Sequence, residues 1–146
     1  MKKKGFGVCL WNGAGGKLES GENVEAAARR EVQEEFGIHV IGAEKAALLH
    51  FYFPDDPEKA NWNQDVHVFL ARKWTGVPKE GSEMRPHWFS IYQLPYLTMW
   101  ADDKYWLQRV LDGEKLEGWF VFDDKDGVSD YEVKNVEDGG NILAQR

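Results

Sequence analysis

The chain has 146 residues, 29% of them charged and 42% hydrophobic, which fits one globular domain rather than a disordered chain or two domains. Its formal net charge is −7, from 18 Lys and Arg against 25 Asp and Glu, which excludes a general nucleic-acid coat or a basic membrane-surface protein. Cys9 is the only cysteine, so an internal disulfide and a cysteine-based zinc site are excluded and a reducing, cytoplasmic compartment fits. In chain order, the basic start Met1–Lys4 leads into no apolar signal-peptide core. Gly5–Trp11 is apolar enough for a strand, and Gly13–Gly16 forms a flexible loop. Glu22–Phe36 predicts a helix, with Asn23 as N-cap, Gly37 as the terminating glycine, and an apolar stripe of Val24, Ala28, Val32 and Phe36. Strands are expected over Ala46–Phe53 and Asp65–Ala71, joined by a polar loop that begins Phe53-Pro54-Asp55-Asp56-Pro57. Ala46–Phe53 is also the longest apolar stretch, and it is too short to cross a membrane. His87–Ile91 reads as a short strand, and Asp102–Leu111 as a second helix ended by Gly113. Trp119–Phe122 and Tyr131–Val136 read as a hairpin through the acidic turn Asp123–Gly127. Strands mixed with two helices predict an α/β sandwich as a single domain over residues 1–136, followed by a flexible tail over 137–146.

Two features carry chemistry. The 7 Trp serve either as large core residues or as walls of a pocket for a flat ring such as a purine. Glu31, Glu34 and Glu35 stand at i, i+3 and i+4 and project from one side of the predicted helix. Three carboxylates so placed repel one another unless a cation sits among them, and carboxylates with open positions suit a hard ion such as Mg²⁺ completed by water and phosphate. A solvated acidic helix face is the alternative for these three residues alone. Arg30 is placed to pair with a glutamate, and the glycine-rich loop containing Gly15 and Gly16 lets backbone approach a phosphate.

The segment Gly16–Ile38 matches every specified position of G-x5-E-x7-R-E-U-x-E-E-x-G-U, where U is a bulky aliphatic residue. With Phe6, Trp11-Asn12-Gly13, Asp65–Phe69, Glu83–Pro86 and Met99–Asp103, the chain resembles the Nudix hydrolases, in particular the branch that hydrolyses oxidised purine nucleoside triphosphates. The resemblance implies an α/β/α sandwich with a mixed sheet. It implies Mg²⁺, with Mn²⁺ as a substitute, held by Glu31, Glu34, Glu35, Glu83 and the Gly15 carbonyl, with one of the glutamates as the base and Arg30 in support. Lys2, Lys17 and the Gly15–Gly16 loop would meet the phosphates. Asn12, Trp100, Asp102 and Asp103 would read the base, and Phe6, Phe51, Phe53, Met84 and Trp106 would line its pocket. Phe51 and Phe53, alternating on a strand, are equally readable as core. Asp102 has the alternative role of a helix cap, and His67 reads as structural rather than catalytic. The implied activity is cleavage of 8-oxo-dGTP or 2-hydroxy-dATP to monophosphate and pyrophosphate, which sanitises the nucleotide pool.

The partner so implied is a small-molecule nucleotide, not a nucleic-acid polymer or a membrane. Two departures from the family pattern stand out. The family carries further strands ahead of the lysines and a substrate-contacting threonine on the first of them, with no counterpart before Met1; the expectation is an exposed sheet edge, either filled by a partner chain, such as a second copy, or leaving the protein poorly folded. Ala101 stands where the family has proline, loosening the base-reading loop. The rival readings are another nucleoside-diphosphate derivative as Nudix substrate, or an inactive nucleotide-binding domain.

Overall fold

The computed structural model describes residues 1–136, so the expected tail at 137–146 lies outside the described residues. These residues form two compact units: Met1–Glu44 with Phe69–Trp100, and Lys45–Val68 with the described residues from Ala101 to Val136.

In the first unit, helix α1 (Val24–Phe36) starts and stops where local chemistry dictates. The Asn23 side chain accepts from the Ala26 N–H at 2.8 Å, satisfying a donor that the first turn leaves without a helical partner. Gly37 ends the helix at φ 72°, and its N–H donates to the Gln33 carbonyl at 2.8 Å. Gly5–Trp11, expected as a strand, is instead a series of turns. Gly5, Gly7 and Cys9 take positive φ, which folds the chain back on itself. The Lys2 N–H then donates to the Leu10 carbonyl at 3.0 Å, and the Cys9 N–H to the Lys2 carbonyl at 2.9 Å. His87–Ile91 is not a strand either. Among the described residues it joins no strand ladder, and its alternation instead sets His87 and Phe89 against Trp11, with ring centroids 5.4 and 4.8 Å away.

Strands β1 (His39–Tyr52) and β2 (Gln64–Thr75) are both longer than the sequence suggests, and each has residues in both units. The sheet order is β2-β1-β3-β4, with β3 at Leu116–Phe122 and β4 at Val128–Asn135. β1 runs parallel to β3, with Leu49 opposite Gly118, and β3 runs antiparallel to β4, with Phe120 opposite Tyr131. The sheet is therefore mixed, as expected. The hairpin turn is held by Asp123, whose Oδ1 accepts from the N–H groups of Lys125 and Gly127 at 2.8 and 2.9 Å.

Ala46–His50 is a continuous buried run, the pattern of a strand covered on both faces. Leu48, Leu49, Val110, Leu116, Phe120 and Phe122 form the core of the second unit. Gly118 is required there: a Cβ would lie 2.9 Å from the Phe120 ring and 3.2 Å from Leu49. His50 is polar within that run. Asp65 meets its Nδ1 at 2.5 Å and Glu117 its Nε2 at 2.8 Å, so its burial leaves neither nitrogen unsatisfied. Helix α2 (Asp103–Leu111) buries Trp106 and Val110, and its Tyr105 ring stacks on Tyr131 at 4.0 Å.

Candidate active site

The acidic face of α1 is organised by Arg30. Its guanidinium forks onto Glu22 at 2.8 and 3.1 Å, and donates to Glu31 at 2.9 Å, to Glu34 at 3.2 Å and to the Lys17 carbonyl at 3.1 Å. Hydrogen bonds to Glu22 and Glu31 hold the guanidinium well above its ordinary pKa. One planar cation thus ties the loop Lys17–Glu22 to the helix. Glu31 lies against the glycine loop so closely that a Cβ on Gly16 would fall 2.1 Å from its Oε1. The Glu34 side chain is 57% exposed, against 16% for Glu31.

Glu35 is the unusual member of this face. Its Oε2 is buried with no hydrogen-bond partner. Burial, then the charge of Glu31 and that of Glu83, pushes its carboxyl up to about 7, against the pull of the Gly15 N–H and of Lys2. Glu83 and Lys2 are brought there by backbone pairing. Lys2 bridges Met84, and the Lys3 N–H donates to the Glu83 carbonyl at 2.7 Å. Met84 is 3% exposed. Among the described residues, no three His, Cys, Asp or Glu side chains stand close enough to enclose a metal ion, Glu31 being turned to Arg30. The donor set nevertheless fits a hard divalent cation. Oxygen ligands are at hand, and Glu35 is a carboxylate whose burial and like-charged neighbours penalise its ionised form.

In the same unit, the Trp11 N–H donates to the Thr98 carbonyl at 2.8 Å, and Trp11 bridges Met99. Phe6 and Trp100 meet at 4.5 Å. Gly7 makes this approach workable, since a Cβ there would sit 3.0 Å from the Trp100 ring. Asn12 is exposed, with its Oδ1 taken by the Gly13 N–H at 2.9 Å. Lys17 is exposed.

The remaining expected residues lie in the second unit. Asp102 and Asp103 are 3% and 5% exposed, which rules out a pair of solvated aspartates. Asp102 occupies the cap position of α2 but makes no capping bond; its Oδ2 accepts from the Trp106 indole N–H at 2.8 Å. Burial raises its carboxyl to about 6, against the pull of that bond. Phe53 stacks on Phe122 at 5.0 Å, and Phe51 lies 5.6 Å from the same ring. His67 has a buried Nδ1 without a hydrogen-bond partner, and its pKa is lowered by burial first and then by Lys45 and His50. Sequence reasoning missed Trp62, which packs edge-on against Phe53 at 6.1 Å. A large aromatic in an otherwise polar loop was the available signal.

Comparison with known proteins bears on these residues. The NUDIX domain model matches residues 2–110. The chain is 42% identical over 137 residues to the oxidized purine nucleoside triphosphate hydrolase of Mus musculus, covering 94% of this chain and 85% of the mouse protein. The zebrafish (Danio rerio) protein of the same name is 42% identical over 138 residues, with 94% and 86% covered. A mutator MutT protein from Bacillus halodurans shares the fold, at a TM-score of 0.72 and 24% identity over 86% of this chain and 82% of that one.

Proposed function

Since the chain belongs to the Nudix hydrolase family, we propose that it hydrolyses oxidised purine nucleoside triphosphates, 8-oxo-dGTP and 2-hydroxy-dATP, to monophosphate and pyrophosphate. The observation that carries this reading is the 42% identity across 94% of the chain to two hydrolases of that name. The catalytic domain spans residues 1–136.

Nudix hydrolases use divalent metal ions, and here Mg²⁺, with Mn²⁺ as a substitute, would be held by Glu31, Glu34, Glu35, Glu83 and the Gly15 carbonyl. The ion supplies, when bound, neutralisation of phosphate charge and a lowered pKa for the attacking water. One of the glutamates would take up the proton of the attacking water, whose oxygen bonds to phosphorus as the bridging P–O bond between the α- and β-phosphoryl groups breaks and pyrophosphate leaves. Arg30 keeps Glu22, Glu31 and Glu34 in register with the loop. Lys2 and Lys17 add positive charge for a polyanionic substrate that a molecule of net charge −7 would otherwise repel.

Asn12, Trp100, Asp102 and Asp103 read the base, with Phe6, Phe51, Phe53, Met84 and Trp106 as pocket lining. A carboxyl that titrates near 6 supports this role, because Asp102 can both donate and accept within the physiological range. The exposed free thiol of Cys9 suits a reducing, cytoplasmic setting. Phosphorus NMR of the products tests the reaction class. The expected products of 8-oxo-dGTP are its monophosphate and pyrophosphate; release of orthophosphate and a nucleoside diphosphate contradicts the proposal.

A further inference from the structure

The loop between β1 and β2 is built around one lysine. Phe53 closes the loop at its base, its N–H donating to the Asn63 side-chain oxygen at 2.9 Å. Pro57 opens a turn of 3-10 helix over Pro57–Lys59, and Asp56 caps it by accepting from the Glu58 N–H at 3.0 Å. Lys59 follows with its side chain only 12% exposed. Its ammonium is held by Asp56 at 3.1 Å and by a short contact to Asp126, in the turn between β3 and β4. The same ammonium stands 5.5 Å from the centre of the Trp62 ring and 6.0 Å from that of Phe53. A long cationic side chain loses much rotamer freedom when buried in this way. Two carboxylates and two aromatic faces offset that loss, and the rings are held in place as a result.

The rings form a continuous row that runs into the buried Phe120 and Phe122. Trp62 meets Phe53 edge-on at 85°, Phe53 lies parallel to Phe122 at 14°, and Phe51 and Phe120 continue the row. Phe51, in β1, and Phe53, just past its end, both meet Phe122, at 5.6 and 5.0 Å. We propose that Trp62 is a further specificity-determining residue, a wall of the base pocket that contacts the oxidised purine ring, and that Lys59, clasped by Asp56 and Asp126, positions it. The proposal rests on the reading of Phe51 and Phe53 as pocket lining given above. A flat heterocycle gains stacking contact from such a wall, while the phosphates do not depend on it, so Trp62 acts on affinity for the base rather than on the bond-breaking step.

The test combines kinetics with binding in the absence of turnover. Trp62→Ala is expected to raise the KM for 8-oxo-dGTP by roughly 10-fold with little change in kcat, while Trp62→Phe stays close to the parent. Lys59→Met should reproduce the KM effect and Lys59→Arg should restore it. Binding of 8-oxo-dGMP is followed separately by calorimetry in EDTA, with thermal melting as a control for folding. Weaker binding by Trp62→Ala, with Trp62→Phe near the parent, supports the wall. Equal affinity in Trp62→Ala and the parent overturns it, as does a loss of kcat with KM unchanged. Failure of the parent to hydrolyse 8-oxo-dGTP overturns the hydrolase reading instead, because the binding comparison does not require turnover.

Discussion

A single buried carboxyl shows how sequence and site constrain each other. Asp102 is ionised at pH 8 in the unfolded chain and, with its folded pKa near 6, in the native protein too, but ionisation in the native state costs more because the group is buried. Its folded pKa lies above the unfolded value near 3.8, so native protein holds the extra proton between about pH 4 and 6. The group's cost to stability therefore grows as pH rises through that window and is fully present above it. Asp102→Asn keeps an acceptor for the Trp106 N–H and removes the charge. It should stabilise the protein at pH 8 by on the order of 2 kcal/mol, the difference fading toward pH 4, as measured by urea unfolding across pH. The same variant should lose about 1–3 kcal/mol in kcat/KM toward oxidised purine substrates and change the ratio of 8-oxo-dGTP to 2-hydroxy-dATP turnover. Equal losses on every nucleotide would return Asp102 to a structural role. Glu35 makes a parallel case at the acidic face. Glu34→Gln or Glu35→Gln should lower kcat on the order of 10²-fold or more, and in EDTA Glu35→Gln should melt no lower than the parent, since a buried charge among like charges is gone. The sequence showed that these glutamates share one side of a helix. It did not show that Arg30 would hold Glu31 and Glu34 while Glu35 turned inward, because that depends on the path of the Gly15–Gly16 loop.

At the level of elements, legibility followed the range of the forces involved. Helix α1 was readable to within two residues because its cap and its terminating glycine are local, whereas the expected stripe of Val24, Ala28, Val32 and Phe36 is only half-buried and Ala27 is the buried residue of the helix. The β3–β4 hairpin was readable because Asp123 and Gly127 mark its turn. Gly5–Trp11 and His87–Ile91 were misassigned because an apolar run specifies burial, not a hydrogen-bonding partner. In the first case left-handed residues at Gly5, Gly7 and Cys9 override the run, and in the second the rings pack on Trp11 without a ladder. The parallel pairing of β1 with β3 joins residues far apart in sequence and had no local signature. Its close packing gives a test. Gly118→Ala places a methyl group against Phe120 and Leu49, and should destabilise the protein by about 1–3 kcal/mol, read as a lower urea midpoint at unchanged m-value. Stability equal to the parent would mean that β1 and β3 have slack at this position.

The whole molecule carries 25 acidic against 18 basic residues and acts, in this account, on a substrate of the same sign. Composition excluded a general nucleic-acid coat and a basic membrane surface, and under the proposed reading a divalent cation at the acidic face, with Lys2 and Lys17, would offset the like charge. A ligand that binds only the folded state stabilises it, so Mg²⁺ should raise the melting temperature relative to EDTA. At a concentration 100 times its dissociation constant the gain is about 2.7 kcal/mol, and it should shrink in Glu34→Gln and Glu35→Gln. An identical melting temperature with and without the ion would contradict the metal site. The decisive measurement is kcat/KM for 8-oxo-dGTP and for dGTP on the purified protein, with Mg²⁺ and with EDTA. Pyrophosphate release is expected to require the metal, and kcat/KM to be at least 10-fold higher for the oxidised nucleotide, about what one net hydrogen bond to the base edge contributes. Equal kcat/KM for the two nucleotides, or turnover undiminished in EDTA, would contradict the proposed function.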